Sequence, residues 1–322
     1  MGALAGARYK DFAHIIVEDE GVRMGLRTKL RNLLPDDLVD LYVAMRVHKT
    51  QHGRYPNLIR PRTFNEWIAR RKALDRRSIL TRFADKYAVR SYVSERVGSH
   101  LLTKLYWVTR EPADIPLDNL SNSFVVKPSH GSGWVNVVRD KSRLDRDALM
   151  KQCRTWLESD YYRLRREWPY KHVVPRVMVE EFIDNGCAEP ASDYRFYVFD
   201  GRVELIQVDA GRFVKHERTF FDRHWNELPI TMTFPRITDG VPEPWHLAEM
   251  LRTAELLGKG MDFVRVDLYD TERKIYFGEI TTTPVNGCGH FEPQSIDVQL
   301  GGLWERSAAQ LDTGLRQSSA AG

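Results

Sequence analysis

The sequence predicts an α+β protein, in which helices and antiparallel strands follow each other in mixed order. Helical spacing of apolar residues dominates the first 75 residues. Residues 123–139, 193–222 and 263–280 are instead rich in β-forming runs that are joined by hairpin turns. Because helical patterns separate and follow these stretches, helices and sheets are expected to share one fold.

The first predicted elements are helices. Apolar residues recur at helical spacing from Pro35 to Val47, and Thr63-Phe-Asn-Glu66 is a capping box that opens a second helix running through Leu74. The apolar positions of 83–93 predict a third helix, which ends at Gly98, a favourable residue for a helix C-terminus.

A β-hairpin with a long loop is predicted in the middle of the chain. After a strand over 101–108, the β-rich runs 124–126 and 135–138 flank the loop Lys127-Pro-Ser-His-Gly-Ser-Gly133. An amphipathic helix is expected from Asp145 to about Tyr162.

A strand and a β-meander are predicted next, followed by a further hairpin between two helices. Asp200-Gly201 is the turn signal that supports the meander, because this dipeptide between apolar runs is typical of tight hairpins. The expected strands and helices are, in order, the strands 176–183, 194–199, 203–208 and 218–222, a helix over 245–257, the strands 263–269 and 275–280, and a helix over 299–311.

Composition restricts the class of protein. With 322 residues and 42% hydrophobic content, the chain can bury a sizeable core, which excludes extensive disorder. The 48 Lys and Arg against 44 Asp and Glu leave a net charge of only +4, so nucleic acid is not the expected partner. The three cysteines are widely separated and odd in number, and they have no CxxC spacing, so neither a disulfide framework nor a zinc site is suggested. No apolar run has the length of a signal peptide or a transmembrane segment, and we expect a cytoplasmic protein.

The loop after Lys127 has the composition of a phosphate-binding loop. Gly131 and Gly133 permit close backbone approach, while Ser129 and Ser132 add hydroxyl donors. The lysine precedes the glycines, so this is not a Walker A loop. An ordinary hairpin turn is the alternative interpretation.

A candidate metal site lies on the last predicted hairpin. Strand alternation places Arg265, Asp267 and Tyr269 on one face, and hairpin pairing can bring Glu279 opposite Asp267. Two carboxylates on neighbouring strands suit Mg²⁺, which takes its other ligands from phosphates and water. The alternative is a surface Arg–Asp ion pair with an unrelated Glu.

Two further groups complete the candidate site. Glu180 and Glu181 end an apolar strand whose backbone can read an adenine edge, and Asp193 and Arg195 alternate onto one face of the following strand. A solvated strand is the alternative for the basic group that follows, which consists of Arg212, Lys215, His216 and Arg218.

Taken together, these motifs resemble the ATP-grasp superfamily and, more closely, the TupA-like ATP-grasp family of polysaccharide-cluster proteins. The resemblance covers roughly residues 55–305. It rests on six separated motifs in one order, namely Thr63-Phe-Asn-Glu66, Ala84-Asp-Lys-Tyr-Ala-Val-Arg90, His130-Gly-Ser-Gly-Trp134, Arg166-Glu-Trp-Pro-Tyr170, Asp193-Tyr-Arg-Phe196 and Phe277-Gly-Glu-Ile-Thr281.

The resemblance implies an ATP-grasp fold in which two α+β subdomains grip ATP. By this implication residues 1–75 are a helical N-terminal extension, 76–184 hold the phosphate loop and 185–322 hold the metal site. The residues implied to bind ATP are Lys86, Lys127, Ser129, His130, Gly131, Ser132, Gly133, Trp134, Glu180, Glu181, Phe182, Ile183 and Asp193.

The resemblance also implies that Asp267 and Glu279 bind Mg²⁺, with Mn²⁺ as the alternative metal. Thr281 stands where many ATP-grasp enzymes have a metal-binding Asn, which leaves the number of metal ions open. Arg265, Arg212, Lys215 and Arg218 are the candidates for stabilising the transferred phosphoryl group or an acyl phosphate. His130 and His216 are considered as proton acceptors, although a histidine beside a phosphate loop is more often a donor.

The expected activity is that of an ADP-forming carboxylate–amine ligase acting on a surface polysaccharide or on an amino-acid or uronic-acid precursor. A kinase that phosphorylates a hydroxyl and a non-catalytic nucleotide-binding scaffold are the alternatives. The substrates, the oligomeric state (a homo-oligomer included) and the role of residues 1–55 are left open, because acceptor pockets are built from loops without a fixed code.

Overall fold

The computed structural model describes residues 34–183, 193–210 and 216–320, and for 314–320 the backbone alone. The helices are α1 (Asp36–His52), α2 (Phe64–Leu74), α3 (Ser78–Ala84), α4 (Val89–Val97), α5 (Arg146–Glu158), α6 (Tyr161–Arg165), α7 (Leu247–Gly258) and α8 (Ser295–Ala320). The strands are β1 (Leu105–Thr109), β2 (Phe124–Pro128), β3 (Asn136–Val138), β4 (Val177–Glu181), β5 (Asp193–Phe199), β6 (Arg202–Ala210), β7 (Glu217–Phe221), β8 (Glu227–Leu228), β9 (Thr231–Met232), β10 (Val264–Asp270), β11 (Ile275–Thr281) and β12 (Phe291–Glu292).

The predicted N-terminal helices are present, and the capping box that opens α2 is confirmed. Thr63 Oγ1 accepts a hydrogen bond from Glu66 N at 3.2 Å, while the Glu66 carboxylate accepts one from Thr63 N at 3.3 Å. These reciprocal bonds satisfy two backbone donors that a helix start otherwise leaves unpaired. The cap therefore fixes where α2 begins.

The prediction of a single third helix is wrong, because α3 and α4 are separate helices. Asp85 stands at the break, where its Oδ1 accepts from the backbone N–H of Tyr87 at 2.9 Å and of Ala88 at 3.2 Å. Lys86 N donates to Ser129 O at 3.0 Å. The side chain of an Asp thus competes with helical hydrogen bonding and turns the chain towards the predicted phosphate loop.

A similar break divides the helix that was predicted from Asp145 to Tyr162. Asp145 does cap α5, because its side chain accepts from Ala148 N at 2.9 Å. However, α5 ends at Glu158, and Asp160 caps α6 by accepting from Arg163 N at 2.9 Å. Apolar spacing alone did not reveal the second cap.

The first sheet has the strand order β1-β4-β2-β3, and all its neighbours are antiparallel. The predicted hairpin is confirmed, with Phe124 opposite Val138. Alternate residues of the sheet, such as Phe124 and Val126, pack against α5 through Leu149 and Trp156. The opposite face carries Val125 and Lys127, which remain partly exposed.

The second sheet has the antiparallel order β11-β10-β5-β6-β7-β8. One face is mainly apolar and packs on α3, α4 and α7, in a cluster that includes Phe196, Val266 and Met250. The other face is divided. One end, which includes Tyr197 and Phe263, packs on α2 and α8, while the other end carries buried charged side chains.

Helices α2 and α8 pack against the apolar end of this divided face and against each other. Asn65 donates two hydrogen bonds to Asp297 Oδ1, at 3.0 Å from its backbone N and 2.9 Å from its side chain. A Cβ built on Gly301 would lie only 2.4 Å from Arg62 O, so α8 approaches the start of α2 too closely for any side chain there. Among the described helices, none is long and apolar enough to span a membrane.

Candidate functional site

The predicted pairing of Asp267 with Glu279 is present, because these two residues are Cα partners in β10 and β11. Arg265 lies between their carboxylates. Its guanidinium donates to Asp267 Oδ1 at 2.7 Å, to Asp267 Oδ2 at 2.6 Å and to Glu279 Oε1 at 3.2 Å. Thr281 Oγ1 donates to Glu279 Oε1 at 2.9 Å. The arrangement therefore already accommodates positive charge between two carboxylates.

The two carboxylates differ in their affinity for protons. Burial alone would raise the pKa of Glu279, but Arg265 and Lys86 lower it to about 2. Burial raises the pKa of Asp267 to about 8 against the opposing charge of Arg265, with Asp193 adding to the increase. A divalent cation would favour the ionised form of Asp267, since nearby positive charge lowers a carboxyl pKa.

A network of buried ion pairs continues from Asp267 across the sheet. Arg195 on β5 is bound to Asp193 at 2.8 Å and to Asp209 at 2.8 Å, and it lies 3.5 Å from Asp267. Asp209 was not among the predicted site residues. The sequence indicates only that Asp209 shares a face of β6 with Gln207. The strand register that brings Asp209 to Arg195 depends on how β5 pairs with β6 in the folded protein.

The basic group that was predicted to stabilise the transferred group is only partly described. Arg212 and Lys215 lie outside the described residues. Arg218 is buried, donates to both oxygens of Asp209 at 2.6 and 2.9 Å, and lies over the ring of Phe234. Its guanidinium thus joins β7 to β6 in this structure, and its role towards the transferred group stays a prediction.

The predicted phosphate loop connects β2 to β3. Ser132 and Gly133 are exposed, and Gly133 has a φ of 76°, which favours glycine. The Lys86 ammonium donates to Gly131 O. Burial lowers the pKa of Lys86, and the charge of Lys127 acts in the same direction, while Glu279 is the largest influence that raises it, followed by Glu180. The loop therefore lies near the acidic pair of the second sheet.

Two of the predicted loop residues, Ser129 and His130, have buried side chains that hold the loop in place. Ser129 is fully buried, and its hydroxyl donates to Val174 O at 3.1 Å. His130 is also buried, with Nε2 2.8 Å from Trp156 O, and burial lowers its pKa. Since that carbonyl can only accept, His130 is a donor there, and its side chain anchors the loop to α5.

The remaining predicted residues lie on β2 and β4 and in the segments that follow these two strands. Lys127 Nζ lies 2.6 Å from Glu180 Oε2, and Arg90 NH1 lies 3.0 Å from Glu180 Oε1. The Glu181 side chain instead accepts from Lys104 N at 2.8 Å. The Trp134 ring contacts the Tyr161 ring, and the Arg139 guanidinium lies over the Phe182 ring. Ile183, the residue after Phe182, is half-buried.

The donor set can be tested against the metal that we predicted. Among the described residues, no group of three or more His, Cys, Asp or Glu side chains could hold a metal ion. The pair Asp267 and Glu279 is thus too small for an all-protein site. It fits Mg²⁺ bound together with nucleotide phosphates, because Mg²⁺ is usually held by one or two carboxylates plus phosphate and water oxygens.

Comparison with known proteins places this geometry in context. The family model described as TupA-like ATPgrasp matches residues 66–305. The chain is similar to D-alanine–D-alanine ligase from Bacillus anthracis complexed with ATP, with 18% identity, a TM-score of 0.42, and coverage of 73% of this chain and 66% of that one. It is also similar to the ATP-grasp ligase PsnB complexed with minimal precursor, with 13% identity, a TM-score of 0.41 and coverage of 71% and 62%. The chain thus spans less than two thirds of these two proteins. Among curated proteins, none matches this chain.

Proposed function

Because the chain belongs to the TupA-like ATP-grasp family, part of the ATP-grasp superfamily, we propose that it is a Mg²⁺- and ATP-dependent ligase that joins a carboxylate to an amine. The observation that carries the proposal is the approach of cations and carboxylates from the two sheets. Lys86 and Lys127 belong to the phosphate-loop side, and Glu279 to the second sheet, yet the charge of Glu279 acts on Lys86. This is the combination that Mg²⁺ and a polyphosphate require together.

In such a site the described residues would have different roles. Lys86 and Lys127 would bind phosphate oxygens, and the exposed backbone of Ser132 and Gly133 would cover them. Bound Mg-ATP would supply the phosphoryl group: its transfer to a carboxylate would form an acyl phosphate and ADP, and attack of the amine on the acyl carbon would form the amide and release phosphate. Arg265 orients Asp267 and faces Glu279, and no side chain needs to act as a nucleophile.

The finer assignments are part of the same proposal. We place the enzyme in the cytoplasm, where ATP is available, and assign its product to a surface polysaccharide or its amino-acid or uronic-acid precursor. Asp193 would meet the ribose, and Glu180 to Ile183 would frame the adenine. The division of the chain into three parts at residues 75 and 184 also stays a prediction. Helix α2, which belongs to the first part, packs on the second sheet, which belongs to the third part.

Thermal unfolding with and without Mg-ATP tests the nucleotide site directly. A ligand at 100 times its Kd stabilises the native state by about 2.7 kcal/mol, so the Tm of the wild type should rise clearly. Asp267→Asn should lose most of this response. Glu272→Gln is the matched control, because Glu272 is an exposed acid on the same hairpin. Equal responses of wild type and Asp267→Asn would contradict the metal assignment.

Product analysis distinguishes the activities. A ligase forms ADP, phosphate and an amide in equal amounts, whereas a kinase forms ADP and a phosphate ester without free phosphate. Binding of Mg-ATP without turnover on any carboxylate–amine pair, or no binding at all, would support the scaffold interpretation instead.

A further inference from the structure

The chain between residues 41 and 65 carries positive charge that no neighbouring acid in the sequence balances. This stretch contains no Asp or Glu, and its basic residues are Arg46, Lys49, Arg54, Arg60 and Arg62. Among the described residues, only Arg54 of this set is paired with an acid, since its guanidinium donates to Glu66 Oε1. Unbalanced charge on one part of a surface attracts partners of opposite sign.

One side of α1 presents part of this charge together with an aromatic ring. Tyr42, Arg46 and Lys49 follow each other at intervals of four and three residues, so they lie on one side of the helix. Tyr42 is 61% exposed, and the two basic side chains are exposed as well. This side of the helix is therefore accessible to a partner.

The loop that follows α1 adds a second ring and an aliphatic side chain. Lys49 Nζ lies over the exposed ring of Tyr55, 4.6 Å from its centroid, which joins the loop to the helix. Further along the loop, Ile59 is 85% exposed, the highest value among the described large apolar side chains. Arg60 beside it is also exposed.

Hydrogen bonds hold Ile59 in this exposed position. Asn57 Oδ1 accepts from the backbone N–H of Ile59 at 3.1 Å and of Arg60 at 2.9 Å. The buried carboxylate of Glu66 accepts from Asn57 N at 3.2 Å and from Arg62 N at 2.7 Å, so it binds both ends of the loop. Ile59 could not turn inward without loss of these bonds.

The exposed residues of this region are called the basic surface, which consists of Tyr42, Arg46, Lys49, Tyr55, Ile59 and Arg60. Its composition matches an anionic phospholipid bilayer. Basic side chains attract anionic headgroups, tyrosine rings are favoured at headgroup level, and an aliphatic side chain can enter the acyl boundary. Nucleic acid would match the charge, but its phosphate backbone gives an exposed aliphatic side chain no partner.

We propose that the basic surface docks the protein on an anionic phospholipid bilayer, with Ile59 inserted among the lipids. The inference does not depend on the proposed ligase function. His52 Nε2 lies 2.9 Å from Gly287 O, so the end of α1 contacts the loop that follows β11, the strand of Glu279. Docking would therefore hold the candidate metal site close to the membrane.

Co-sedimentation of the full chain with lipid vesicles tests this inference. We expect the wild type to bind vesicles of phosphatidylcholine and phosphatidylglycerol, but not vesicles of phosphatidylcholine alone. High salt should release it, because salt screens the attraction to the headgroups. Ile59→Ser should weaken binding about tenfold, since it removes the inserted apolar surface. Leu256→Ser, at an exposed position on α7, is the control and should bind as the wild type does.

A second pair of variants tests the charges. Lys49→Gln and Arg60→Gln should each weaken binding to the anionic vesicles about fivefold. Lys151→Gln and Arg154→Gln, at exposed positions on α5, are the controls, because each lowers the net charge by the same amount. These controls should change binding much less than the variants of the basic surface.

The inference is overturned if the wild type does not bind the anionic vesicles, if it binds both kinds of vesicle equally, or if the control variants lose as much binding as the test variants. Tighter binding of a random oligonucleotide, unaffected by Ile59→Ser, would assign the surface to nucleic acid instead. A lower Tm of Ile59→Ser than of Leu256→Ser would show that the chain itself covers this surface. Either result would also overturn the inference.

Discussion

Arg265 and Asp267, two residues apart on β10, are joined by two hydrogen bonds of 2.7 and 2.6 Å between the guanidinium and the two carboxylate oxygens. Both side chains are buried. We expect Arg265→Met to destabilise the protein by about 3 kcal/mol without Mg²⁺, because it leaves the buried Asp267 carboxylate with only the more distant Arg195, at 3.5 Å, as its cationic partner. Added Mg²⁺ should restore part of this loss by replacing the missing charge, as measured by urea unfolding at both metal concentrations.

The exposed Arg273, in the turn between β10 and β11, provides the control for this prediction. Arg273→Met should leave stability within about 0.5 kcal/mol of the wild type. If Mg²⁺ stabilises Arg265→Met no more than it stabilises Arg273→Met, the cation does not bind at this carboxylate pair.

Lys127→Met should weaken nucleotide binding without unfolding the first sheet. Glu180 keeps its contact with Arg90 at 3.0 Å, so the buried carboxylate is not left unpaired. The lost charge-assisted contact to phosphate should raise the Kd for Mg-ATP about tenfold or more, measured by calorimetry. Lys151→Met, on the exposed side of α5, should leave the Kd unchanged. An unchanged Kd in Lys127→Met would remove this lysine from the site.

Gly301 and Gly302 on α8 should respond oppositely to alanine. A Cβ on Gly301 would meet Arg62 O at 2.4 Å and Thr63 Cα at 2.7 Å, which are backbone atoms that cannot move aside cheaply. A Cβ on Gly302 would meet only Arg306 NH1, at 3.6 Å. We expect Gly301→Ala to destabilise by about 1–3 kcal/mol and Gly302→Ala to stabilise by up to about 1 kcal/mol in urea unfolding. Similar values for both variants would contradict the close contact of α8 with α2.

Acid should destabilise the contact between α1 and the loop after β11. The rings of His48, His52 and His290 lie 4.5 and 4.8 Å apart in succession. Burial lowers the pKa of His48 and of His52 below the usual 6.5. The unfolded chain therefore takes up protons that the folded state resists, so stability is full above pH 6.5 and falls as the pH decreases through the lowered pKa values.

His52→Gln should reduce this pH dependence between about pH 6.5 and 5, whereas His100→Gln, at an exposed position, should leave it unchanged. The measurement is the free energy of unfolding in urea at a series of pH values. An unaltered slope in His52→Gln would show that the histidine contact does not titrate.

The sequence is most informative where structure depends on neighbouring residues. The pairing of Asp267 with Glu279 could be predicted because both strands belong to one hairpin, in which alternation and turn length determine which side chains face each other. The capping box of α2 is equally local. These features required only the pattern of a few residues.

The role of Asp209 could not be predicted, because it depends on the register between β5 and β6 and on the docking of β10 against β5. The occupation of Arg218 by Asp209 has the same origin. The break at Asp85 was missed for a different reason. Its side chain hydrogen bonds replace helical ones without interrupting the apolar spacing, so the periodicity remained helical across the turn.

The bond between Asn65 and Asp297 spans 232 residues of sequence, and it has a consequence for folding in the cell. During synthesis α2 leaves the ribosome long before α8 exists, so Phe64 lacks its contact with Trp304 until then. Contacts between distant parts of a chain form late because loop closure is costly. The nascent protein should therefore expose the α8-facing side of α2 to chaperones until α8 is released, and only then is the apolar cluster between α2 and the second sheet complete.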